Sequence, residues 1–593
     1  MRYSLTLCVA LLGAQEIDTT HFGGPRNRSA VATRAESEAE LREFQAIQKS
    51  QQPAQRRALA EEFLAKHPQS WLLAGVYQAA ASASIELNEH ARAIDEGRLS
   101  LRLAPENAPL LAVLAQIEFA MGRRAQAAND ARDALLWLKL FAPPAGTKDA
   151  DWKKATQPIE DSARKVIEQA GGKVREIASV AAKEHGQSLK FAGSDSCKKC
   201  HAPIYERWQK TGMASMLRPL ASATLMPDFS RAIEYSGDGT RTHVRAGGGA
   251  RPYFELPQRN GDWKRYRVDF VIGSKWQQAY ATKLEDGRMF VFPIQYNRQS
   301  KQWTNYWATV DPPGSERADT SAFWKHSSAT SYQRNCAACH TSQLRLTRLD
   351  DSTFERATFF EAGINCEMCH GPSAAHAAAP EKQPPVRFVK LDAMESTLVC
   401  GQCHRQSALR NVGPNGEMNY TSDAPYFERL LNQPYSEFGT RAFYKDGRFR
   451  ETTFIGEAFQ RSACFRRGSA HCGSCHNPHP EDAGPANPVS LKFRNDPDQM
   501  CVQCHIAQGA QASAHTHHAK GSAGSRCGAC HMPPIMGSVG FQAGSHQIDD
   551  VPRTDFTRRF GQAESPNACL ICHKDRAPQW LEAELANWKA RPR

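Results

Sequence analysis

No run of 18 or more consecutive apolar residues occurs in this sequence, which excludes an internal membrane-spanning helix. Long blocks of one charge are missing too. There are 74 Lys and Arg against 62 Asp and Glu, a formal excess of +12, yet the basic residues come in ones and twos, as at Arg123-Arg124 and Arg466-Arg467. A nucleic-acid or anionic-membrane surface would need them clustered, so neither partner class follows. Apolar residues are also scarce, at 41% with a mean hydropathy of -0.57. At roughly 150 residues per domain the chain has room for three or four domains, but few side chains to fill their cores. The aromatic content and regular patterning nevertheless exclude a disordered chain.

Cysteine, by contrast, is abundant and ordered. Of eighteen cysteines, sixteen fall in eight copies of Cys-x-x-Cys-His. The pairs are Cys197/Cys200, Cys336/Cys339, Cys366/Cys369, Cys400/Cys403, Cys472/Cys475, Cys501/Cys504, Cys527/Cys530 and Cys569/Cys572. The histidines that follow are His201, His340, His370, His404, His476, His505, His531 and His573. Two thiols three residues apart on a helical turn reach the two vinyl groups at one porphyrin edge, and the next imidazole falls over the iron as proximal ligand. Zinc knuckles and redox dithiols share the CxxC pair but do not require histidine at that one offset. With 21 histidines in 593 residues, a chance histidine after all eight pairs has odds on the order of one in a trillion. The motifs therefore predict eight covalently held haem c groups with iron as their metal. A ferric bis-imidazole haem with two ionised propionates carries about -1 and a ferrous one about -2, which offsets the basic excess and makes Lys and Arg propionate partners. Porphyrins also supply the apolar core that the side chains lack.

Two strong protein ligands make a haem an electron relay, whereas an open position allows small-molecule chemistry. Thirteen histidines lie outside the motifs, and His21, His67, His90 and His185 precede the haem region. Nine remain, enough for mostly bis-histidine ligation. His376 stands six residues after a proximal histidine, behind a Gly-Pro turn, and His479 in "CHNPH" follows the same logic. His515, His517 and His518 in "HTHH" supply one or two ligands, with His518 taken as the representative, and His546 follows "CHMPP". His243, with His326 and His471, is divided between ligation and a surface or propionate-bonding role. Met213 would give one haem a Met/His pair and a raised potential, or simply pack. Cys464 is the odd thiol, with reactive and inert buried roles both open.

Residues 1–14 read as an export signal, with Arg2 ahead of an apolar stretch and a small-residue exit at Gly13-Ala14, and its removal would discard Cys8. A periplasmic or extracellular location follows. Residues 36–185 carry no motif and are helical in composition and spacing. A 34-residue recurrence, Ala93 to Ala127 with Pro105 closing the first copy, resembles a tetratricopeptide repeat, a stack of helix pairs suited to docking a redox partner. Residues 191–593 form the haem domain. Within it, about 240–310 alternates around Asn260-Gly261 and Asp286-Gly287, predicting a small antiparallel β insert. The expected fold class is mainly α with much irregular structure: an N-terminal helical-repeat domain and a C-terminal multihaem cytochrome c domain.

From Asp195 to His573 the order and wording of "SDSCKKCH", "VDFVIGSKWQQAY", "INCEMCHGPSAAH", "CGSCHNPH", "HTHH" and "SPNACLICH" resemble the doubled-CxxCH, cytochrome c-552/4-like multihaem cytochromes, including octahaem members joined to tetratricopeptide repeats. The resemblance implies electron transfer along the haems, and distal ligation by His376 and His479. An alternative is a multihaem oxidoreductase acting on a small nitrogen or sulfur compound at one haem with an open axial position. Such enzymes often mark the catalytic haem with Lys in place of the motif histidine, and here all eight keep His.

Overall fold

The structure, a computed structural model, describes residues 34–140, 147–174, 190–237, 243–310, 314–348, 355–383, 391–405, 442–538, 541–548 and 553–590. The export-signal segment 1–14 lies outside them. No described helix is long and apolar enough to cross a membrane.

Alanine- and leucine-rich segments broken by turn residues give seven successive helices: α1 (Glu38–Lys49), α2 (Pro53–Lys66), α3 (Leu73–Glu86), α4 (His90–Leu103), α5 (Ala108–Ala120), α6 (Arg124–Leu140) and α7 (Asp149–Gln169). Their starts follow capping chemistry. Ser37 accepts the Glu40 N–H at 3.1 Å and Asn107 accepts that of Leu110 at 3.1 Å, satisfying donors that a helix end leaves free. Neighbouring helices pack in pairs, α3 on α4 and α5 on α6. Ala93 on α4 and Ala127 on α6 are both fully buried, so the 34-residue recurrence marks the small residue at which the second helix of each pair packs closely.

Helix α8 (Ser194–Gln209) carries the first motif, and the chain then turns to strands. The β region is larger than one small sheet. It comprises β1 (Leu217–Pro219), β2 (Ile233–Ser236), β3 (His243–Gly247), β4 (Tyr253–Pro257), β5 (Trp263–Arg267), β6 (Phe270–Ile272), β7 (Gln277–Lys283), β8 (Met289–Val291), β9 (Gln295–Asn297) and β10 (Gln302–Thr304). These form a four-stranded antiparallel sheet, β2-β3-β4-β5, and a six-stranded one, β1-β6-β7-β9-β10 with β8 on β7. The strands begin at Leu217, ahead of the expected start near 240, because three- and four-residue strands are too short to carry a period-2 signal. Asn260-Gly261 and Asp286-Gly287 do close hairpins, both glycines at φ +87° where a side chain would be strained. Alternation along β8 separates two environments. Met289 joins a cluster with Cys336 and Cys339 of the second motif, and Phe290 an aromatic cluster with Phe254, Phe292 and Phe323.

The helical array is not free-standing. One core joins Ile94, Leu101, Leu114 and Trp137 of the helices to Phe443, Phe449, Phe454 and Phe459 of the haem domain, and a second joins Phe44 and Phe63 to Phe556 and Phe560. Polar contacts run along the same seam. Glu106 and Arg461, each 1% exposed, pair at 3.0 Å. Arg102 grips Asp555 with two nitrogens at 2.6 and 2.8 Å, while Asp133 meets both Arg466 and Arg467. Gly447, at φ +85°, lies so close that a Cβ there would stand 2.2 Å from the Leu103 carbonyl oxygen. One side of the helical array is thus covered by residues 443–465 and 555–560 of the same chain.

Candidate haem-binding site

Each CxxCH motif sits on or beside a short helical turn, such as Ala337–His340, Glu367–His370, Cys472–Cys475, Cys527–His531 and Ala568–Cys572, and the fourth ends α9 (Ala393–His404). The α9 start is fixed by a capping box: Asp392 accepts the Glu395 N–H at 2.8 Å and Glu395 accepts that of Asp392 at 3.0 Å. No described cysteine is in a disulfide. Nor do three His, Cys, Asp or Glu converge as a metal-holding group among the described residues. Burial keeps most motif thiols protonated, pushing Cys336 and Cys501 up to about 12, which suits sulfurs destined to become uncharged thioethers.

Three of the sixteen cysteines read as haem tethers depart from the expected apolar core. Cys200, Cys504 and Cys572 are exposed, whereas their motif partners Cys197, Cys501 and Cys569, and the remaining motif cysteines, are half-buried. All three are the second cysteine of a motif. Residues three apart on a helical turn point about 60° away from each other, so a turn at the protein surface can cover its first sulfur and leave its second facing water. Protein side chains therefore do not enclose the first, sixth and eighth motifs on every side, and the polar composition reflects tethers placed at the surface as well as porphyrins serving as core.

The imidazoles supply the geometric test of fit. Among the described residues, four motif histidines have a second imidazole opposite them in the contacts that follow. Ring centres are 6.4 Å apart for His201 and His376, 6.3 Å for His476 and His546, 6.2 Å for His531 and His515, and 6.3 Å for His573 and His518. Two metal–nitrogen bonds of about 2.0 Å, each with a ring centre about 1.2 Å behind the nitrogen, span about 6.4 Å. Direct stacking looks different: His517 lies on Trp588 at 4.4 Å and leaves no room for an ion. The second ring nitrogen is committed as well. His376 Nδ1 bonds the Gln383 carbonyl at 2.8 Å, His546 Nδ1 that of Gly544 at 3.0 Å, His518 Nδ1 that of Thr516 at 2.6 Å, and His476 Nδ1 that of Val489 at 2.9 Å. Donation from Nδ1 selects the tautomer whose Nε2 lone pair is free for a metal. Burial also pushes His546 down to about 4, with the His476 and His404 rings adding to the effect, so its imidazole stays neutral, the ligating form. The residues present therefore fit haem.

Of the candidate distal residues, His376, His518 and His546 stand opposite motif histidines; His479 and Met213 have no such pairing among the described residues, and the His243 side chain lies outside what the structure describes. His479 lies beside Arg207, which pairs with Glu481 at 3.5 Å. His243 begins β3, opposite Ser236 in the backbone register. The Met213 carbonyl accepts the Ile364 N–H at 3.0 Å, which fixes the Met213 turn beside the third motif. His515, grouped with His517 and His518 in the sequence, faces His531 in its own right. Its signal was the "HTHH" spacing, in which positions three apart face two different motifs.

Three further groups shape the electrostatics. His340 is half-buried, its Nδ1 is shielded from solvent with no hydrogen-bond partner among the described residues, and desolvation pushes it down to about 4. The Lys275 ammonium is held below its usual range by burial and in turn depresses His404 and His476, which places an amine between the fourth and fifth motifs. His326 is on the other side of β8 from the second motif, against Phe290 at 4.9 Å and Tyr266 at 5.8 Å, with burial lowering it to about 4. A His326 that is neutral when folded but titrates near 6.5 when unfolded binds fewer protons in the fold, so its contribution is intact above about 6.5 and is lost as pH falls toward 4. Thermal melts should show this acid destabilisation diminished in His326→Asn, asparagine being tolerated at the left-handed φ of +47°; an unchanged pH profile would exclude His326 as its source.

Residues 295–371 match the family described as cytochrome c554 and c-prime. The chain is also similar to a solved structure described as outer cell wall cytochrome OcwA, at 16% identity over 67% of this chain and 86% of that one, with a TM-score of 0.43. A second similar structure is the undecaheme cytochrome from the S-layer of Carboxydothermus ferrireducens, at 16% identity, 79% and 72% coverage, and a TM-score of 0.34. No curated protein matches. The CxxCH motifs, the paired imidazoles and the matched segment define a multihaem c-type cytochrome, whose bound haem c supplies reversible one-electron chemistry at iron.

Proposed function

We propose that this chain is an exported octahaem cytochrome c that passes electrons along its haems between redox partners. The four imidazole pairs at 6.2–6.4 Å carry this reading, because two strong ligands per iron favour relay over substrate binding. In this reading the sixteen motif cysteines, exposed Cys200, Cys504 and Cys572 included, tether the haems. The eight motif histidines are proximal ligands, and His376, His546, His515 and His518 are distal ligands at the first, fifth, seventh and eighth motifs. The Nδ1 bonds of His376, His546 and His518 hold these rings so that ligation requires little reorganisation. Export rests on residues 1–14. Partner docking through the helices falls to the surface of α1 to α7 that the haem domain leaves uncovered. Metal analysis and a redox titration of the purified protein should give eight irons and eight one-electron equivalents spread over a range of potentials. An iron count far below eight would overturn the reading.

A further inference from the structure

Contacts between motifs define an order of wiring that neither the motif spacing nor the ligand pairs reveal. The sulfurs now present as thiols occupy the places of thioether sulfurs, so sulfurs of two motifs in contact bring two porphyrin edges together. The Glu367 carboxylate of the third motif accepts the Ala192 and Gly193 N–H groups at 2.9 Å each, just ahead of the first motif, and the Cys197 and Cys366 thiols interact electrostatically across the same joint. The third motif meets the fourth where Gln402 Nε2 donates to the Met368 carbonyl at 3.1 Å. Fifth and sixth motifs repeat that joint: Gln503 Nε2 donates to the Ser474 carbonyl at 3.1 Å, the four residues holding the same position within their motifs. Asp498, just ahead of the sixth motif, accepts the Cys527 N–H at 3.0 Å, and the Cys501 and Cys527 thiols interact electrostatically, linking sixth to seventh. The Cys530 thiol interacts electrostatically with Cys572 and Cys569, and the helical turns that carry them pack together, linking seventh to eighth.

The fourth motif differs from the rest. Its helix α9 packs against the second-motif turn Ala337–His340 and the fifth-motif turn Cys472–Cys475, Gln402 reaches the third, and its thiols interact electrostatically with Cys339, Cys472 and Cys369. Among the described residues it is the one motif whose cysteines meet three others. We propose that Cys400–His404 is the branch point of the electron path, joining an arm of the third and first motifs, a one-haem arm at the second, and a four-haem arm running from the fifth to the eighth. Each transfer oxidises one ferrous site and reduces its ferric neighbour, with an external one-electron donor at one arm's end and an acceptor at another. Three ends rather than two follow, so the protein exchanges electrons at three places. This rests on the octahaem reading above.

The test attaches a ruthenium photoreductant at exposed Lys574→Cys, beside the eighth motif, in a Cys464→Ser background, with a sacrificial amine as electron source. Rapidly reduced haem is counted from the α-band. The parent should show eight haems in the fast phase, Cys336→Ala/Cys339→Ala seven of its seven, and Cys400→Ala/Cys403→Ala four of its seven. A fast phase of seven in the last variant would overturn the branch point, as would fewer than seven in the second-motif variant. Pyridine haemochrome counts keep the underlying reading separate: fewer than eight in the parent would refute the octahaem assignment itself. Should the fourth-motif variant fail to assemble, iron positions from anomalous diffraction of the unaltered protein decide. The iron at His404 is expected to have three near neighbours, and three neighbours at another iron instead would overturn the proposal.

Discussion

If the chain holds the proposed haems, replacement of His546 by alanine is expected to convert one of them from low-spin to high-spin, visible as a new ferric signal in electron paramagnetic resonance. His546 stands 6.3 Å from His476 between ring centres, is neutral through burial, and has its Nδ1 held by the Gly544 carbonyl. It therefore lacks only the iron to be a distal ligand, and removing it leaves the proximal bond and both thioethers untouched. His546→Met separates ligation from packing. A thioether sulfur in the same place should keep the haem low-spin while raising its potential by on the order of 0.1 V, well within the range of about 0.8 V that axial ligands span. The control is His517→Ala. Its ring stacks on Trp588 at 4.4 Å, so no spin change is expected there. Retention of eight low-spin haems in His546→Ala would remove His546 from the ligand set.

Arg461→Leu should be the most destabilising single change at the seam between the helical array and the haem domain. It leaves the Glu106 carboxylate buried at 1% exposure without its partner and removes a cation lying 4.4 Å from the Phe449 ring centre. Breaking a buried pair from one side costs about 3–5 kcal/mol, whereas replacing both partners with apolar residues is often near neutral. The double variant Glu106→Leu/Arg461→Leu is accordingly expected to recover most of the loss in thermal unfolding of the haem-loaded protein. Limited proteolysis of the single variant should cut first near α4 and α5, whose ends meet this seam. Equal destabilisation in the single and double variants would mean that the pair's charge is not what matters.

These two experiments address features with different visibility in the sequence. CxxCH is local: one helical turn sets the distance between both sulfurs and the imidazole, so the spacing alone identifies each site. Its depth in the fold is not local, and nothing in the motif distinguishes exposed Cys200 and Cys504 from half-buried Cys339 and Cys403. Turn chemistry is local too, and Asn260-Gly261 and Asp286-Gly287 mark hairpins for the same reason. The 34-residue recurrence of Ala93 and Ala127 exposed the helix pairs because close packing at a repeated position demands a small side chain. His479 shows the limit. Its setting in "CHNPH" parallels that of His376 in "CHGPSAAH", yet it lies beside Arg207 while His376 stands opposite His201.

By itself, then, the sequence determined the local pattern of each site: eight CxxCH motifs, each with a histidine after its second cysteine, and a supply of further imidazoles. The tertiary structure decided the pairings, such as His546 with His476 and His515 with His531, the contacts of the fourth motif with three others, and the burial of the helical array against the haem domain. The physical reason is range. A tether is fixed by covalent geometry within five residues, whereas a distal imidazole is brought to its place by chain packing across distant segments, which no periodicity or spacing records.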